Sequence, residues 1–192
     1  MRTFAVVGHL APTGDGFTLD DLPGSAGRMD ILCRCVNAAL SVSHGIRKDV
    51  EIHLILLGPP SPPKDLLLQG SAVRSLSPDE RSTAALLRKA LALPVGEAFR
   101  ESSPGILVRR GGLSGLIADG GYSVLSEDGP DMRALPDLPA GFLLSDHLDF
   151  TAGEEEVLSG LPRISAGPRV LHADHAITVL QNELDRRGAK WS

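Results

Sequence analysis

Short apolar segments of strand length alternate with segments of helical periodicity along most of the chain. The predicted strands are residues 3–7, 50–57, 65–69, 105–109, 122–125, 141–144 and 163–165. The predicted helices are residues 26–43, 78–93, 113–118, 154–159 and 174–187. This alternation favours an α/β fold, in which helices cover both faces of a mostly parallel sheet. In such sheets, ligands bind in the loops that follow the carboxyl ends of the strands.

Local signals fix some of these boundaries. Ser77, Pro78 and Glu80 predict a helix start, with a capping serine, proline at the first helical position and glutamate three residues after the cap. The proline-rich residues 58–63 predict a rigid turn, across which residues 65–69 can pair with the strand before it.

Length and composition favour one compact domain. A chain of 192 residues that is 42% hydrophobic and 22% charged is typical of globular proteins, which excludes the disordered, collagen-like and membrane-spanning classes. No apolar run approaches the ~18 residues of a membrane helix. Residues 1–7 lack the apolar stretch of a secretory signal, so we expect a cytoplasmic protein.

The charge distribution gives no global attraction to nucleic acid, because the net charge is −5. Residues 1–100 nevertheless carry 11 Lys and Arg against 10 Asp and Glu, whereas residues 101–192 carry 8 against 14. The basic residues between positions 74 and 110 are Arg74, Arg81, Arg88, Lys89, Arg100, Arg109 and Arg110. They can form a local basic face, and an ordinary solvated surface remains the alternative.

Neither thiol chemistry nor a metal site is indicated. Cys33 and Cys35 stand two positions apart on a predicted helix, so they point to different faces and are expected to be buried packing residues. His172 and His175, together with residues 146–149, offer ligand types but no converging set of three or four groups. We therefore expect no metal.

Three loops of small residues follow predicted strands in the second half of the chain. They span residues 125–129, 145–147 and 166–169. Small residues let backbone groups approach a flat ligand closely, which suits an adenine ring bound through main-chain hydrogen bonds. Ordinary turns are the alternative explanation.

A glycine-rich turn at residues 20–27 leads into a helix that carries Arg28, Asp30 and Arg34. Two arginines beside a carboxylate can bind a phosphate and keep the carboxylate ionised. A salt-bridged helix start is the alternative.

Five segments, in order and spread over nearly the whole chain, resemble the archaeal tRNA (pseudouridine-54) N1-methyltransferase family of the SPOUT superfamily. They are residues 21–36, 43–47, 77–81, 102–105 and 171–178. Their sequences are DLPGSAGRMDILCRCV, SHGIR, SPDER, SSPG and LHADHAIT.

The resemblance implies a SPOUT-type α/β fold that ends in a trefoil knot, with the last helix threaded through a loop. It implies a single methyltransferase domain over residues 1–192, with the knot and the cofactor site in roughly residues 120–192. It also implies S-adenosylmethionine, bound in bent form at the knot, and a homodimer whose interface completes the active site.

The residues that the resemblance implies for cofactor binding fall in the small-residue loops and at the start of the last helix. They are Leu125, Ser145, Ala166, Gly167, Pro168, Arg169, Val170, Leu171 and Ala176. Some relatives have glycine in place of Ser145 and cysteine in place of Ala176. Serine can still present its backbone to a ligand, and the missing cysteine argues against essential thiol chemistry there.

The implied reaction is methylation of N1 of pseudouridine 54 in the TΨC loop of tRNA. It needs no metal, and we expect no association with a membrane. Pseudouridine is joined to ribose through carbon, so its N1 carries a proton that must be removed or shared. We expect Asp30 to accept this proton or to orient the base, while Arg28 and Arg34 hold the flanking phosphate. The expected contacts to the tRNA backbone are Arg47, Lys48, Arg109 and Arg110.

Three alternatives remain open on the sequence. The substrate could be a pseudouridine in ribosomal RNA, as in related ribosome-biogenesis methyltransferases. The chain could be a catalytically idle knotted protein that binds RNA or an assembly partner. It could also bind a different adenine-containing ligand and transfer no methyl group.

Overall fold

The computed structural model describes residues 1–118 and 120–188, so residues 189–192 of the expected domain lie outside it. The strands are β1 (Arg2–Pro12), β2 (Ser41–Val42), β3 (Gly45–Ile46), β4 (Val50–Gly58), β5 (Lys64–Gln69), β6 (Arg100–Ser103), β7 (Ile106–Arg110), β8 (Tyr122–Leu125), β9 (Gly141–Ser145) and β10 (Arg163–Ile164). The helices are α1 (Leu22–Ser25), α2 (Met29–Leu40), α3 (Glu80–Leu91), α4 (Leu113–Ile117), α5 (Ala152–Leu158) and α6 (Ala173–Gly188).

One large sheet runs in the order β10-β8-β9-β1-β4-β5-β7-β6 within the described residues. The strands from β10 to β4 are parallel, and β5, β7 and β6 continue the sheet antiparallel. The predicted α/β fold with a mostly parallel sheet is confirmed, as is the pairing of β5 with β4 across the proline-rich turn. The parallel strands end along one side of the sheet, which we call the carboxyl edge and which contains the ends of β1, β8, β9 and β10 at Pro12, Leu125, Ser145 and Ile164.

The central strand β1 is buried on both faces. Phe4 and Val6 belong to the larger core, which includes α2, α3 and α6, whereas Ala5 and Val7 belong to a smaller core with α4 and α5. Helices therefore cover both faces, as predicted. No helix in the described parts of the chain is both long and apolar enough to cross a membrane.

The helix predicted over residues 26–43 is shorter than expected at both ends. It begins at Met29 because Gly27 and Arg28 have φ angles of 53° and 65°. A Cβ atom on Gly27 would lie 1.9 Å from the carbonyl oxygen of Leu10, so this close approach requires glycine. At the other end, residues 41–46 form the β2–β3 hairpin instead of helix.

Two further expectations are corrected. The cap of α3 is Asp79 and not Ser77, because the Asp79 carboxylate accepts a hydrogen bond of 2.7 Å from the Ser82 amide. Strand β6 was not predicted, since its sequence Arg-Glu-Ser-Ser shows no apolar alternation and only its pairing with β7 makes it a strand.

Cys33 and Cys35 lie on α2, and both are free and fully buried. Burial raises the pKa of both thiols well above its ordinary value, which keeps them protonated. Their prediction as packing residues is confirmed.

Candidate functional site

Two adjoining cavities lie at the carboxyl edge, where the loops after β8, β9 and β10 meet the start of α6. Their volumes are about 80 Å³ and about 500 Å³. Leu125, Val170, Leu171 and Ala176 line both, so the two form one depression, which we call the edge cavity. Its size is in the range of small-molecule sites.

Most of the residues expected to bind the cofactor surround the edge cavity. Those that line its smaller part are Leu125, Ala166, Gly167, Arg169, Val170, Leu171 and Ala176. Ser145 lines the larger part, and Pro168 belongs to the same loop but lines neither part. Residues that are far apart in the sequence are therefore brought to one place.

Parallel pairing of β8 with β10 explains this convergence. The Ser126 amide donates to the Ile164 carbonyl at 2.9 Å, and the Ser165 amide donates to the Pro130 carbonyl at 2.8 Å. The loops after the two strands consequently lie against each other. The Ser165 hydroxyl then donates to the Gly167 carbonyl at 2.7 Å and closes the turn that borders the cavity.

The larger part of the edge cavity is acidic. Five carboxylates line it: Glu127, Asp128, Asp146, Asp149 and Glu155. Among the described residues that line this larger part, Arg163 is the single arginine. This excess of negative charge favours a ligand that carries a positive charge.

Arg28, Asp30 and Arg34 form a charged cluster at the start of α2. Arg28 donates through Nε and Nη2 to the two carboxylate oxygens of Asp30, at 2.9 Å each. Arg34 Nη1 donates to Asp30 Oδ2, also at 2.9 Å. The Asp30 side chain is 3% exposed, whereas those of Arg28 and Arg34 are 37% and 34% exposed. The cluster therefore presents its arginines, and little of its carboxylate, to solvent.

The two arginines keep Asp30 ionised. Burial alone would raise the pKa of Asp30, but the hydrogen bonds from Arg28 and Arg34 outweigh burial and lower this pKa below its ordinary value. A carboxylate with a lowered pKa is a weak base, although it remains a good hydrogen-bond acceptor.

Arg34 connects the cluster to two other helices. Its Nη1 lies 3.1 Å from Glu80 of α3, and its Nε lies 3.6 Å from Asp174 of α6. Asp174 is buried, and its Oδ1 has no hydrogen-bond partner among the described residues. It adjoins Ala173, which lines the edge cavity, so the charged cluster and the cavity are neighbours.

The four basic residues expected to contact tRNA lie at opposite ends of the sheet. Arg109 and Arg110 end β7, where Arg110 pairs with Lys64 on the side of the carboxyl edge. Arg47 and Lys48 precede β4 at the other end. Arg47 forms two hydrogen bonds with Asp185 at 2.9 and 2.7 Å, while Arg109 lies 3.0 Å from Asp65. Their role in RNA binding stays a prediction.

A polar cluster that the sequence patterns do not indicate lies near the carboxyl end of β1. We call it the His9 cluster, and it consists of His9, Asp146 and Glu154, whose side chains are 8%, 2% and 14% exposed. His9 Nδ1 lies 2.9 Å from Asp146 and its Nε2 lies 3.0 Å from Glu154. The available signal was a histidine two positions after the predicted strand at residues 3–7.

The histidines considered as metal ligands do not converge on further ligands. The rings of His172 and His175 lie 5.7 Å apart. Within residues 1–118 and 120–188, no group of three or more His, Cys, Asp or Glu side chains could hold a metal ion.

Known proteins resemble this chain over nearly its whole length. Residues 1–189 match the family described as "Putative SAM-dependent RNA methyltransferase". The tRNA (pseudouridine(54)-N(1))-methyltransferase of Methanospirillum hungatei is 49% identical over 100% of both chains. The protein of the same name from Methanocorpusculum labreanum is 47% identical over 98% of both chains.

A solved structure shares the fold. Archaeoglobus fulgidus Nep1 bound to S-adenosylhomocysteine has a TM-score of 0.67, with 98% of this chain and 99% of that chain covered. The two sequences are 14% identical, so this likeness concerns the fold alone.

Proposed function

The chain belongs to this family of SAM-dependent RNA methyltransferases, and from that premise we propose that it transfers a methyl group from S-adenosylmethionine to N1 of pseudouridine 54 in tRNA. One observation carries the proposal: the whole chain matches, at 49% and 47% identity, relatives that are named for this reaction. The reaction class and the donor are those of the family.

The residues around the edge cavity fit the donor. S-adenosylmethionine combines an adenine ring with a cationic sulfonium whose methyl group is electrophilic. The backbone of the loops after β8 and β10 can bond the adenine edge, and the acidic lining of the larger part favours the positive charge. The chain contributes to catalysis by positioning the reacting atoms and excluding water.

Asp30 is proposed to orient the target base, while Arg28 and Arg34 bind the phosphate that flanks it. The lowered pKa of Asp30 supports the orienting role over complete removal of the N1 proton, because a weak base takes little of that proton. Arg28 and Arg34 are partly exposed, and their guanidinium groups retain N–H donors that match phosphate oxygens.

The tRNA backbone is proposed to contact Arg109 and Arg110 near the carboxyl edge, and Arg47 and Lys48 at the opposite end of the sheet. These side chains can neutralise phosphates along an extended RNA surface.

We propose that residues 1–192 form a single SPOUT domain, with a trefoil knot within roughly residues 120–192. The basis is the path of the connection between β8 and β9, residues 126–140. That connection contacts the chain after β10, since the Met132 amide donates to the Ser165 carbonyl at 2.9 Å. It also contacts the end of α6, where Arg187 donates to the Met132 carbonyl at 2.7 Å. A loop that touches both segments supports threading of α6 through it.

We further propose that the protein is a homodimer and acts in the cytoplasm. Leu148, Val170 and Leu171 are 41%, 77% and 38% exposed around the edge cavity, and large exposed apolar side chains favour a partner surface. The cytoplasm is where a tRNA substrate is available.

The decisive experiment is incubation of the protein with methyl-labelled S-adenosylmethionine and two transcripts of one tRNA, carrying pseudouridine or uridine at position 54. Label is expected only in the pseudouridine transcript, because uridine is joined to ribose through N1 and offers no proton there. Mass mapping should place the label on nucleotide 54.

Two controls separate the alternatives. A ribosomal RNA fragment containing pseudouridine is expected to remain unlabelled, and label in that fragment alone would assign the ribosomal substrate. Calorimetry with S-adenosylmethionine is expected to show binding, whereas an idle RNA-binding protein would show none.

A further inference from the structure

His9 holds both ends of one wall of the edge cavity. Asp146 begins the loop after β9, Glu154 lies on α5, and the chain between them contributes Asp146, His147, Leu148, Asp149 and Phe150 to the cavity lining. The His9 ring bonds Asp146 through one nitrogen and Glu154 through the other. We call residues 146–154 the cavity wall. A single imidazole on β1 therefore bonds the first and the last residue of the wall.

Each carboxylate of the His9 cluster also organises the wall locally. Asp146 accepts hydrogen bonds from the His9 amide at 3.1 Å and from the Leu148 amide at 3.0 Å. Glu154 accepts from the Thr151 amide at 2.7 Å and from the Thr151 hydroxyl at 2.8 Å. Movement of either carboxylate would consequently move the turn that it stabilises.

The geometry requires a doubly protonated ring. Both ring nitrogens face oxygens of carboxylates, which only accept hydrogen bonds, so both nitrogens must donate. Burial alone would lower the pKa of His9, but the hydrogen bonds and charges of Asp146 and Glu154 outweigh burial and raise this pKa above its ordinary value. After loss of one proton, a nitrogen lone pair would face a carboxylate and one end of the wall would be released.

Other charged groups lie close to the cluster. His147 Nδ1 lies 3.3 Å from Asp146, and the charge of Asp146 adds to the raised pKa of Arg28, which is set first by its hydrogen bond with Asp30. The cluster thus adjoins the edge cavity, which Asp146 lines.

We propose that His9 is a positioning residue for the methyl donor: its protonated ring holds residues 146–154 in place as a wall of the edge cavity. The proposal rests on the proposed function in naming S-adenosylmethionine as the ligand of this cavity. Since the bonded ring requires its proton, donor affinity should be full below the pKa of His9 and fall as pH rises through it.

Two variants of the whole protein each remove one end of this link. In His9→Asn the amide nitrogen takes the place of Nδ1 and can still donate to Asp146, and in His9→Gln it takes the place of Nε2 and can still donate to Glu154. Neither side chain titrates. The matched control is His44→Gln, which changes an exposed histidine on the β2–β3 hairpin, away from the carboxyl edge.

Calorimetry with S-adenosylhomocysteine between about pH 6 and pH 9 is the main measurement. At the lower pH, both His9 variants are expected to bind about five-fold more weakly than the unmodified protein. The three proteins should converge as pH rises through the pKa of His9, because the unmodified protein then loses one hydrogen bond as well. His44→Gln should follow the unmodified protein throughout.

Methyl transfer gives a second readout. The KM for S-adenosylmethionine should rise about five-fold in both variants at the lower pH, while kcat at saturating donor stays within about twofold. A residue that only stabilises the fold would not produce this separation. Thermal unfolding of both variants checks that they are folded.

Equal donor affinity of the variants and the unmodified protein at every pH would overturn the proposal while leaving methyl transfer, and thus the proposed function, intact. Absence of donor binding to the unmodified protein would instead overturn the proposed function. If the variants fail to fold, NMR titration of His9 in the unmodified protein decides the matter, because an ordinary or lowered pKa contradicts a ring held between two carboxylates.

Discussion

Asp30 is both buried and ionised, because two guanidinium groups surround its carboxylate. Such a group contributes little as a proton acceptor and much as an anchor, since it fixes the directions of Arg28 and Arg34. Loss of its charge should therefore disturb these two arginines, which are proposed to bind phosphate, more than it disturbs the methyl donor.

Asp30→Asn is expected to lower kcat for tRNA methylation about 100-fold, because the arginines lose their common anchor and the target base is misplaced. Donor affinity, measured by calorimetry, should change by less than about threefold. Asp20→Asn is the matched control, since Asp20 pairs with Arg81 in an exposed ion pair. Turnover of Asp30→Asn close to that of the control would remove Asp30 from the reaction.

Part of this site could be predicted from spacing alone. Asp30 and Arg34 stand four positions apart, so a helix places them side by side. The contact of Arg28 with Asp30 depends on the left-handed backbone of Arg28, which no periodicity indicates. His9 and Asp146 are 137 positions apart, and only the parallel pairing of β1 with β9 brings them together.

Helix α2 shows where element prediction succeeds and where it stops. Its apolar residues recur at helical spacing, so its existence and core face could be predicted. Its start could not, because the contact between Gly27 and the Leu10 carbonyl joins separate parts of the chain. Edge strand β6 was missed for a related reason, since its polar sequence gives no local signal.

Gly27→Ala is expected to destabilise the protein by at least about 2 kcal/mol, because the new Cβ would collide with the Leu10 carbonyl at a residue with positive φ. Gly16→Ala is the matched control, since a Cβ there meets nothing within 4 Å among the described residues, and its effect should stay within about 0.5 kcal/mol. Urea unfolding measures both. Equal stabilities of the two variants would contradict this account of where α2 begins.

At the scale of the whole molecule, ionised carboxylates connect distant parts of the sheet and its helices. Asp185 of α6 bonds Arg2 of β1 at 2.6 Å and also bonds Arg47, which ties the last helix to the other end of the sheet. Burial alone would raise the pKa of Asp185, but these hydrogen bonds lower it. The order of the strands could not be predicted from periodicity, because it depends on such contacts between remote segments.

Stability is expected to fall steeply in acid. The pKa values of Asp30, Glu154 and Asp185 are lowered in the folded state, so their contribution is present above the unfolded pKa of about 4 and is lost as pH falls through the folded values. Thermal unfolding from neutral pH to about pH 3 should show this loss. Asp185→Asn should have a smaller dependence on pH, and an unchanged dependence would contradict the contribution of Asp185.

The contacts of Arg34 with three carboxylates limit which residues can replace it. One guanidinium lies among carboxylates of α2, α3 and α6, and a planar fork of five N–H groups can serve three acceptors at different angles. A lysine ammonium would leave at least one of these anions poorly neutralised, and an uncharged side chain would leave Glu80 and Asp174 without this partner, while Asp30 would keep only Arg28. We therefore expect a substitution at this position to destabilise the protein unless an acidic neighbour changes at the same time.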